Sequence, residues 1–194
     1  DLRDPRIAAI FRLRSAGLMI IRDALSSQGF IEVNTPKIIG SASEGGANLF
    51  GFEYFDNRKA YLAQSPQLYK EQLTVGLDKV FEIGPYFRAE NSHTVRHLSE
   101  FTSVDIEAAF LDYEDVMDIL EKVVRKVAGG FHEMYNSDLQ TAGAKEIPVS
   151  KIERLTYEQC LEELAHEGEK LEFGEDLSDS ALRKLGRLHP GEQQ

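Results

Sequence analysis

The densest group of residues able to do chemistry follows the apolar run at 80–87. Arg88 ends that run, and Arg96 and His97 come in the polar stretch that precedes Phe101. A guanidinium presents a fixed fork of donors that matches a phosphate, and it stays charged at physiological pH. Three cationic or potentially cationic groups in one segment of an acidic chain indicate a polyphosphate ligand, and the neighbouring ring could stack on a planar base. A hairpin in which Arg88 pairs with a nearby glutamate and Phe101 is core explains the pattern equally well.

A second group lies at the predicted start of a helix. A helix that starts at Ser65 and Pro66 points the free backbone N–H groups of its first turn forward. Gln67 and Lys70 are three residues apart and are therefore neighbours on one helical face. Together they could bind an anion, although ordinary capping with a solvated lysine is the simpler interpretation when the group is taken alone. Glu44 is an isolated carboxylate among small residues, which could receive an ammonium group or simply be exposed.

The histidines and the cysteine predict no metal site. His93 and His97 have ligand-like spacing, but Arg96 beside them would repel a divalent cation. Cys160 lies on the apolar stripe of a predicted helix and is expected to be core, and a single cysteine excludes a disulfide framework. His189 is expected at the surface.

The composition limits the class of protein. The 194 residues include 22 Lys and Arg against 33 Asp and Glu, a formal net charge of −11, and 42% are hydrophobic. That hydrophobic fraction excludes wholesale disorder, and the acidic balance restricts any contact with nucleic acid to a local surface. The chain has no apolar run long enough for a membrane span. We therefore expect a soluble protein of a reducing compartment, the cytoplasm, with no membrane partner.

The apolar periodicity predicts the elements that must position these side chains. Asp4 and Pro5 begin a first helix, and Gly29 ends it. The next elements in chain order are a strand at 30–33, a hairpin of 49–55 with 60–63 that turns at Asp56 and Asn57, a helix from Ser65 and Pro66 to about Thr74, and strands at 80–87 and 102–110.

The second part of the chain is predicted to be helical. Asp112 begins a long helix that we expect to end at Gly129 and Gly130, followed by connective residues 131–150. Thr156 and Gln159 then form a capping box, and a short helix begins near Ser178. One helix, several strands in hairpin order and further helices predict an α+β fold with a mainly antiparallel sheet.

Four segments of this sequence resemble a known family. Residues 87–90 with 96–101 resemble motif 2 of the class II aminoacyl-tRNA synthetases, and the first helix with 30–33 and Pro36 resembles motif 1, their dimer-forming element. Residues 43–47 and 63–70 narrow the resemblance to the aspartyl-tRNA synthetases of the archaeal and eukaryotic cytosolic type. The resemblance runs from Asp1 to about Leu188.

The resemblance implies a role for each matching residue. In the aspartate pocket, Glu44 would bind the α-ammonium, and Arg88 would bind the reacting carboxylate. Ser65, Gln67 and Lys70 would line the amino-acid pocket, where Lys70 would pair with the side-chain carboxylate. For ATP the matching residues are Arg88 on the α-phosphate as the catalytic residue, Glu90 near the adenine, Arg96, His97 and Leu98 around the nucleotide, and Phe101 under the adenine. Asp105 is only a possible member of the pocket.

The resemblance also implies the reaction, which is activation of L-aspartate by ATP and transfer of the aspartyl group to tRNA(Asp). Mg²⁺ is the expected counter-ion of the phosphates, and a homodimer is expected through the motif 1 region. Residues 1–130 would be the catalytic core with motifs 1 and 2, and 131–194 an incomplete connective and helical segment of the same domain. Because motif 3 of the class II synthetase-like sheet is missing, we expect this chain alone to be inactive.

Two alternatives remain at this stage. One is a non-catalytic dimerisation or interaction module that shares the fold, since a fold does not fix an activity. The other is a paralogue that activates aspartate without tRNA to make asparagine. The retention of Glu44, Lys70, Arg88 and Phe101 together argues against a decayed pocket.

Overall fold

The computed structural model describes residues 3–41, 49–89, 98–144 and 152–189. The chain divides into two compact units, one of residues 1–20 with 120–194 and one of residues 21–119. The helices and strands are α1 Pro5–Ser26, β1 Ile31–Glu32, β2 Ile38–Ile39, β3 Gly51–Tyr54, β4 Arg58–Leu62, α2 Gln67–Leu77, β5 Lys79–Phe87, β6 Glu100–Ala108, α3 Tyr113–Ala142, α4 Tyr157–His166 and α5 Asp179–Leu188. Within these ranges no helix is both long and apolar enough to cross a membrane.

Helix α1 begins and ends where local signals predict. Asp4 Oδ1 accepts a hydrogen bond from the Arg6 backbone N–H at 2.9 Å, which satisfies one of the donors left free at the helix start. Gly29 follows the helix with a φ of +85°, a conformation that glycine adopts without steric cost. The predictions of Asp4 as the cap and Gly29 as the stop are confirmed.

The unit of residues 21–119 contains two three-stranded sheets. In the first, of order β1-β5-β6, β1 is parallel to β5 and β5 is antiparallel to β6; the second, of order β2-β4-β3, is antiparallel throughout. Asp56 and Asn57 form the β3–β4 turn with φ values of 59° and 55°, a left-handed conformation that these residue types tolerate. The predicted α+β fold with mainly antiparallel sheets is confirmed.

The β5–β6 hairpin fixes which residues lie side by side. Tyr86 is opposite Phe101, Glu82 is opposite Asp105, and Arg88 N–H donates to Ser99 O at 3.0 Å just beyond the paired strands. Helix α2 packs against both strands. It runs to Leu77, one turn further than the predicted end near Thr74.

Helix α3 shows that the predicted helix end at Gly129 and Gly130 is wrong. The helix continues through both glycines and, after a kink at Tyr135 (φ −128°, ψ 21°), runs to Ala142, so residues 131–142 are mostly helical rather than connective. Neither glycine has a positive φ, whereas Gly143 does, with a φ of +70°, and it marks the true end. A Cβ on Gly130 would lie 2.8 Å from the Ile20 side chain, so this glycine permits the close approach of α1 and α3.

Helices α4 and α5 pack on each other at the end of the chain. The Thr156 and Gln159 capping box is present, and Ser178 Oγ accepts from the Ala181 N–H at 3.2 Å, so both predicted helix starts are confirmed. Their shared core contains Leu164, Ala181 and Leu185. Cys160 packs against that core, as expected of a small apolar side chain.

Candidate functional site

One face of the β5–β6 hairpin collects the side chains with chemical potential. Side chains alternate between the faces of a strand, and directly opposite residues share a face. We call this surface the site face; its members on β5 and just beyond it are Glu82, Gly84, Tyr86 and Arg88, and those on β6 are Phe101, Ser103, Asp105 and Glu107.

Arg88 and Phe101 meet at the hairpin end of the site face. The Arg88 Cζ lies 5.6 Å from the centroid of the Phe101 ring, within the range of a cation–π contact. The Arg88 Nε is buried and has no hydrogen-bond partner among the described residues. A buried donor without an acceptor costs about 1–3 kcal/mol, so this atom suits a ligand that brings an anionic oxygen.

Phe101 is partly a core residue and partly a member of the site face. Its ring packs against the buried cluster of Ile39, Ala63 and Tyr86, as a core residue would. The same ring also lies beneath the Arg88 guanidinium. The ring is half-buried, which leaves part of its surface on the site face.

Lys70 reaches the site face from helix α2. Its side chain is 1% exposed, so the simpler interpretation of a solvated lysine is wrong. The ammonium donates to Asp105 Oδ1 at 2.8 Å, Ile106 O at 2.9 Å and Glu107 Oε2 at 3.4 Å, which uses all three of its N–H groups. Ser103 Oγ in turn donates to Asp105 Oδ2 at 2.8 Å.

The pairing of Lys70 has a chemical consequence. Two carboxylates share one ammonium, so a third carboxylate, brought by a ligand, can replace one of them without leaving the buried cation unpaired. A neutral ligand group that displaced one of these carboxylates would bring no charge in its place, which is costly in a buried site. The lysine end of the site face is therefore suited to an acidic ligand.

The other predicted site residues are less closely grouped. Ser65 is 8% exposed, and its Oγ accepts from the Gln67 N–H at 3.3 Å at the start of α2. The Gln67 side-chain amide donates to Glu71 Oε1 at 2.7 Å rather than to the Lys70 cluster. Leu98 is 62% exposed. Glu44, Glu90, Arg96 and His97 lie outside the described residues.

Sequence reasoning missed a buried polar cluster, in which Thr35 and Lys37 contact Glu82 and Tyr86 of the site face. Glu82 is 1% exposed and accepts hydrogen bonds from Thr35 N at 3.1 Å and Thr35 Oγ1 at 2.7 Å. Lys37 forms a close ion pair with the same carboxylate and donates to Tyr86 OH at 2.8 Å. The available signal was a lone carboxylate in the apolar run 81–83, because a charge in such a run needs a partner.

The titration of this cluster follows from its contacts. Burial alone would raise the pKa of Glu82, but the hydrogen bonds from Lys37 and Thr35 together hold the pKa below its ordinary value. Burial raises the pKa of the Tyr86 phenol, and the negative charges of Glu82 and Asp105 raise it further. Glu82 is thus ionised and Tyr86 protonated at neutral pH.

No cluster of three or more His, Cys, Asp or Glu side chains suited to a metal ion occurs within the part of the chain that the structure describes.

Comparison with known proteins gives one consistent family. A model of the family described as tRNA synthetases class II (D, K and N) matches residues 1–193. The chain is 48% identical over 193 residues to the aspartate–tRNA(Asp/Asn) ligase of Methanocaldococcus jannaschii, covering 98% of this chain and 44% of that protein. It is 50% identical over 192 residues to the aspartate–tRNA(Asp) ligase of Thermoplasma volcanium, covering 96% and 44%.

A solved structure agrees with the sequence relatives. The asparaginyl-tRNA synthetase of Pyrococcus horikoshii, complexed with asparaginyl-adenylate, superimposes with a TM-score of 0.89 at 34% identity, over 96% of this chain and 44% of that one. The chain therefore spans less than half the length of the proteins that it matches.

Proposed function

The chain belongs to the class II tRNA synthetases (D, K and N), and we propose that it forms part of the catalytic site of an aspartate–tRNA ligase. Class II synthetases use ATP, and the P. horikoshii relative holds an aminoacyl-adenylate. Because the chain covers about 44% of its aspartate-specific relatives, the activity is proposed for the full-length protein.

One observation carries the proposal: Arg88, Phe101 and Lys70 share the site face. In the first step an oxygen of the aspartate α-carboxylate attacks the α-phosphorus of ATP, and the bond to pyrophosphate breaks. Such a transfer needs positioning and positive charge rather than a protein nucleophile. Arg88 holds the α-phosphate and the reacting carboxylate through its guanidinium, whose Nε has no hydrogen-bond partner within the described ranges, and Phe101 stacks under the adenine.

Lys70 selects aspartate over asparagine in this proposal. Its present partners are two carboxylates, and the side-chain carboxylate of aspartate replaces or joins them. The amide of asparagine brings no charge, and a buried cation that loses a charged partner costs about 3–5 kcal/mol. The P. horikoshii relative holds an asparaginyl-adenylate, whereas in this chain the charge of Lys70 favours aspartate.

The remaining partners follow from the same reaction. A hydroxyl of the terminal adenosine of tRNA(Asp) attacks the aspartyl-adenylate in the second step and releases AMP. Mg²⁺ accompanies the phosphates of ATP. Glu44 receives the α-ammonium of aspartate, and Ser65 and Gln67 line the amino-acid pocket. The residues around the nucleotide are Glu90, Arg96, His97 and Leu98. The protein works in the cytoplasm.

We further propose a homodimer through the motif 1 region. The proposal is supported by the resemblance of α1 to motif 1 and by its exposure of Ile10, Phe11 and Met19 at 50%, 55% and 62%, apolar surface that a partner subunit would cover. Phe11→Lys is expected to lower the dimer fraction of the full-length protein in sedimentation equilibrium. The matched change Val75→Lys, at a side chain 89% exposed on α2, is expected to leave it unchanged; two variants that both remain dimers would contradict the assignment.

The test of the proposed function is aspartate-dependent exchange of pyrophosphate into ATP by the full-length protein. Arg88→Ala is expected to lower the exchange rate by about 10²–10³-fold, the usual loss when one donor to a developing charge is removed. The control Arg183→Ala breaks an exposed pair with Asp179 on α5 and should stay within about twofold of wild type. Near-normal exchange by Arg88→Ala, or none by wild type, would refute the proposal.

A further inference from the structure

Two lysine–carboxylate pairs lie side by side on the site face. Glu82 and Asp105 are directly opposite each other on β5 and β6, where side chains of like charge destabilise the pairing of strands. Each carboxylate has a lysine from outside the hairpin: Lys37 for Glu82 and Lys70 for Asp105.

The Lys37–Glu82 pair lies on the same surface as the proposed aspartate pocket. A Cβ on Gly84 would lie 3.2 Å from Glu82 Oε1 and 3.4 Å from the Lys37 side chain, so the pair covers this glycine. Gly84 is opposite Ser103, the residue that donates to Asp105. Lys37 also donates to Tyr86 OH at 2.8 Å, and the negative charge of Asp105 raises the pKa of the same phenol.

The balance of charge depends on Lys37. When the Lys37 side chain is present, two ammonium groups, those of Lys37 and Lys70, face the three carboxylates of Glu82, Asp105 and Glu107. If Lys37 were removed, all three carboxylates would compete for Lys70 alone. An acidic ligand would then meet a lysine that is already surrounded by negative charge, and its binding would weaken.

We propose that Lys37 is a positioning residue for aspartate recognition, because it pairs with Glu82 and so keeps that carboxylate from competing for Lys70. The inference rests on the proposed function, since it concerns the same site. Lys37 has no direct role toward the amino acid; it acts through Glu82, to which it is bound together with Thr35. Its removal should therefore matter only while Glu82 is charged.

This dependence defines a double-mutant cycle in the full-length protein. Lys37→Met is expected to raise the KM for aspartate in pyrophosphate exchange by about tenfold or more and the KM for ATP by less than about threefold. Glu82→Gln and the double variant Lys37→Met/Glu82→Gln are expected to agree with each other in the KM for aspartate within about threefold. This second comparison holds even where Lys37→Met alone does not fold.

Lys59→Met is the matched control, since Lys59 is exposed on β4, and its two KM values should equal those of wild type. The inference would be overturned if Lys37→Met raised both KM values equally. It would also be overturned if the KM for aspartate differed about tenfold between Glu82→Gln and the double variant. Neither result would affect the proposed function. Absence of aspartate-dependent exchange in wild type would overturn it together with the proposed function.

Discussion

At the scale of the residue, a buried ammonium with three oxygen partners decides what the site face can bind. Lys70 is held by Asp105, Glu107 and the carbonyl of Ile106, so the cation is already in place and its direction is fixed before any ligand arrives. A positioned charge contributes more to recognition than a mobile one, because little ordering remains to be done on binding.

Lys70→Leu is expected to raise the KM for aspartate by about 150–5,000-fold, the range that corresponds to about 3–5 kcal/mol, and to change the KM for ATP far less. The physical reason is that the carboxylates of Asp105 and Glu107, left without their cation, repel an acidic ligand. Pyrophosphate exchange with each substrate varied in turn measures both constants. Equal effects on the two KM values would show that Lys70 is outside the amino-acid pocket.

Single residues also show how far the sequence could predict the site. Arg88 ends one predicted strand and Phe101 precedes the next, and in the structure the Arg88 Cζ lies 5.6 Å from the centroid of the Phe101 ring. Lys37 and Glu82 were missed because they are 45 residues apart, and their contact depends on how β1, β5 and the segment between β1 and β2 assemble. A local pattern carries no information on such a pairing.

At the scale of the element, local signals predicted helix starts better than helix ends. Asp4 and Thr156 cap their helices through hydrogen bonds to residues two or three positions away, so the sequence contains both partners. The end of α3 was predicted wrongly because neither Gly129 nor Gly130 forms a left-handed turn, and Gly130 serves instead the close approach of α1. Only tertiary packing distinguishes these two uses of glycine.

Gly129→Ala tests the continuity of α3. No atom lies within 4 Å of a Cβ at this position, and alanine in a helix interior is more stable than glycine by about 0.5–1 kcal/mol. The variant is expected to raise the melting temperature of the full-length protein by up to about 1 °C, because the shift per kcal/mol becomes smaller as the chain becomes longer. A lower melting temperature would indicate that the helix ends at Gly129 in a conformation that alanine resists.

The α4–α5 pair is expected to depend on pH through His189. Contrary to the expectation of a surface residue, its ring is 21% exposed and bridges Glu163 on α4, at 2.8 Å, and Glu153, at 2.9 Å. The hydrogen bond to Glu163 raises the pKa of His189 above its ordinary value, although burial opposes the shift. A histidine whose pKa is raised by folding stabilises the folded state fully at pH values below its unfolded-state pKa. That stabilisation is lost as the pH rises through the folded-state pKa.

Hydrogen exchange of the α5 amides measures this effect. Corrected for intrinsic rates, their protection is expected to be greater near about pH 6 than near about pH 8.5, because the pKa of His189 is raised above its ordinary value. His189→Gln is the control, because it removes the titrating group, and its protection should be the same at both values. A wild-type chain whose α5 protection does not change would contradict the role of this histidine.

At the scale of the whole molecule, the described part of the proposed site lies within one of the two units. Lys37, Lys70, Arg88, Phe101 and Asp105 all belong to residues 21–119. The fold class could be predicted because hairpin order and helix periodicity are visible in sequence. The division into units could not, since residues 1–20 join residues 120–194 through contacts between distant parts of the chain.

The most direct test of the central claim is a crystal structure of the full-length protein with a non-hydrolysable aspartyl-adenylate analogue. We expect the group that replaces the α-phosphate to lie within hydrogen-bond distance of the Arg88 guanidinium, the adenine on the Phe101 ring, and the aspartyl carboxylate within reach of the Lys70 ammonium. An analogue bound on a surface that includes none of these three side chains would contradict the account.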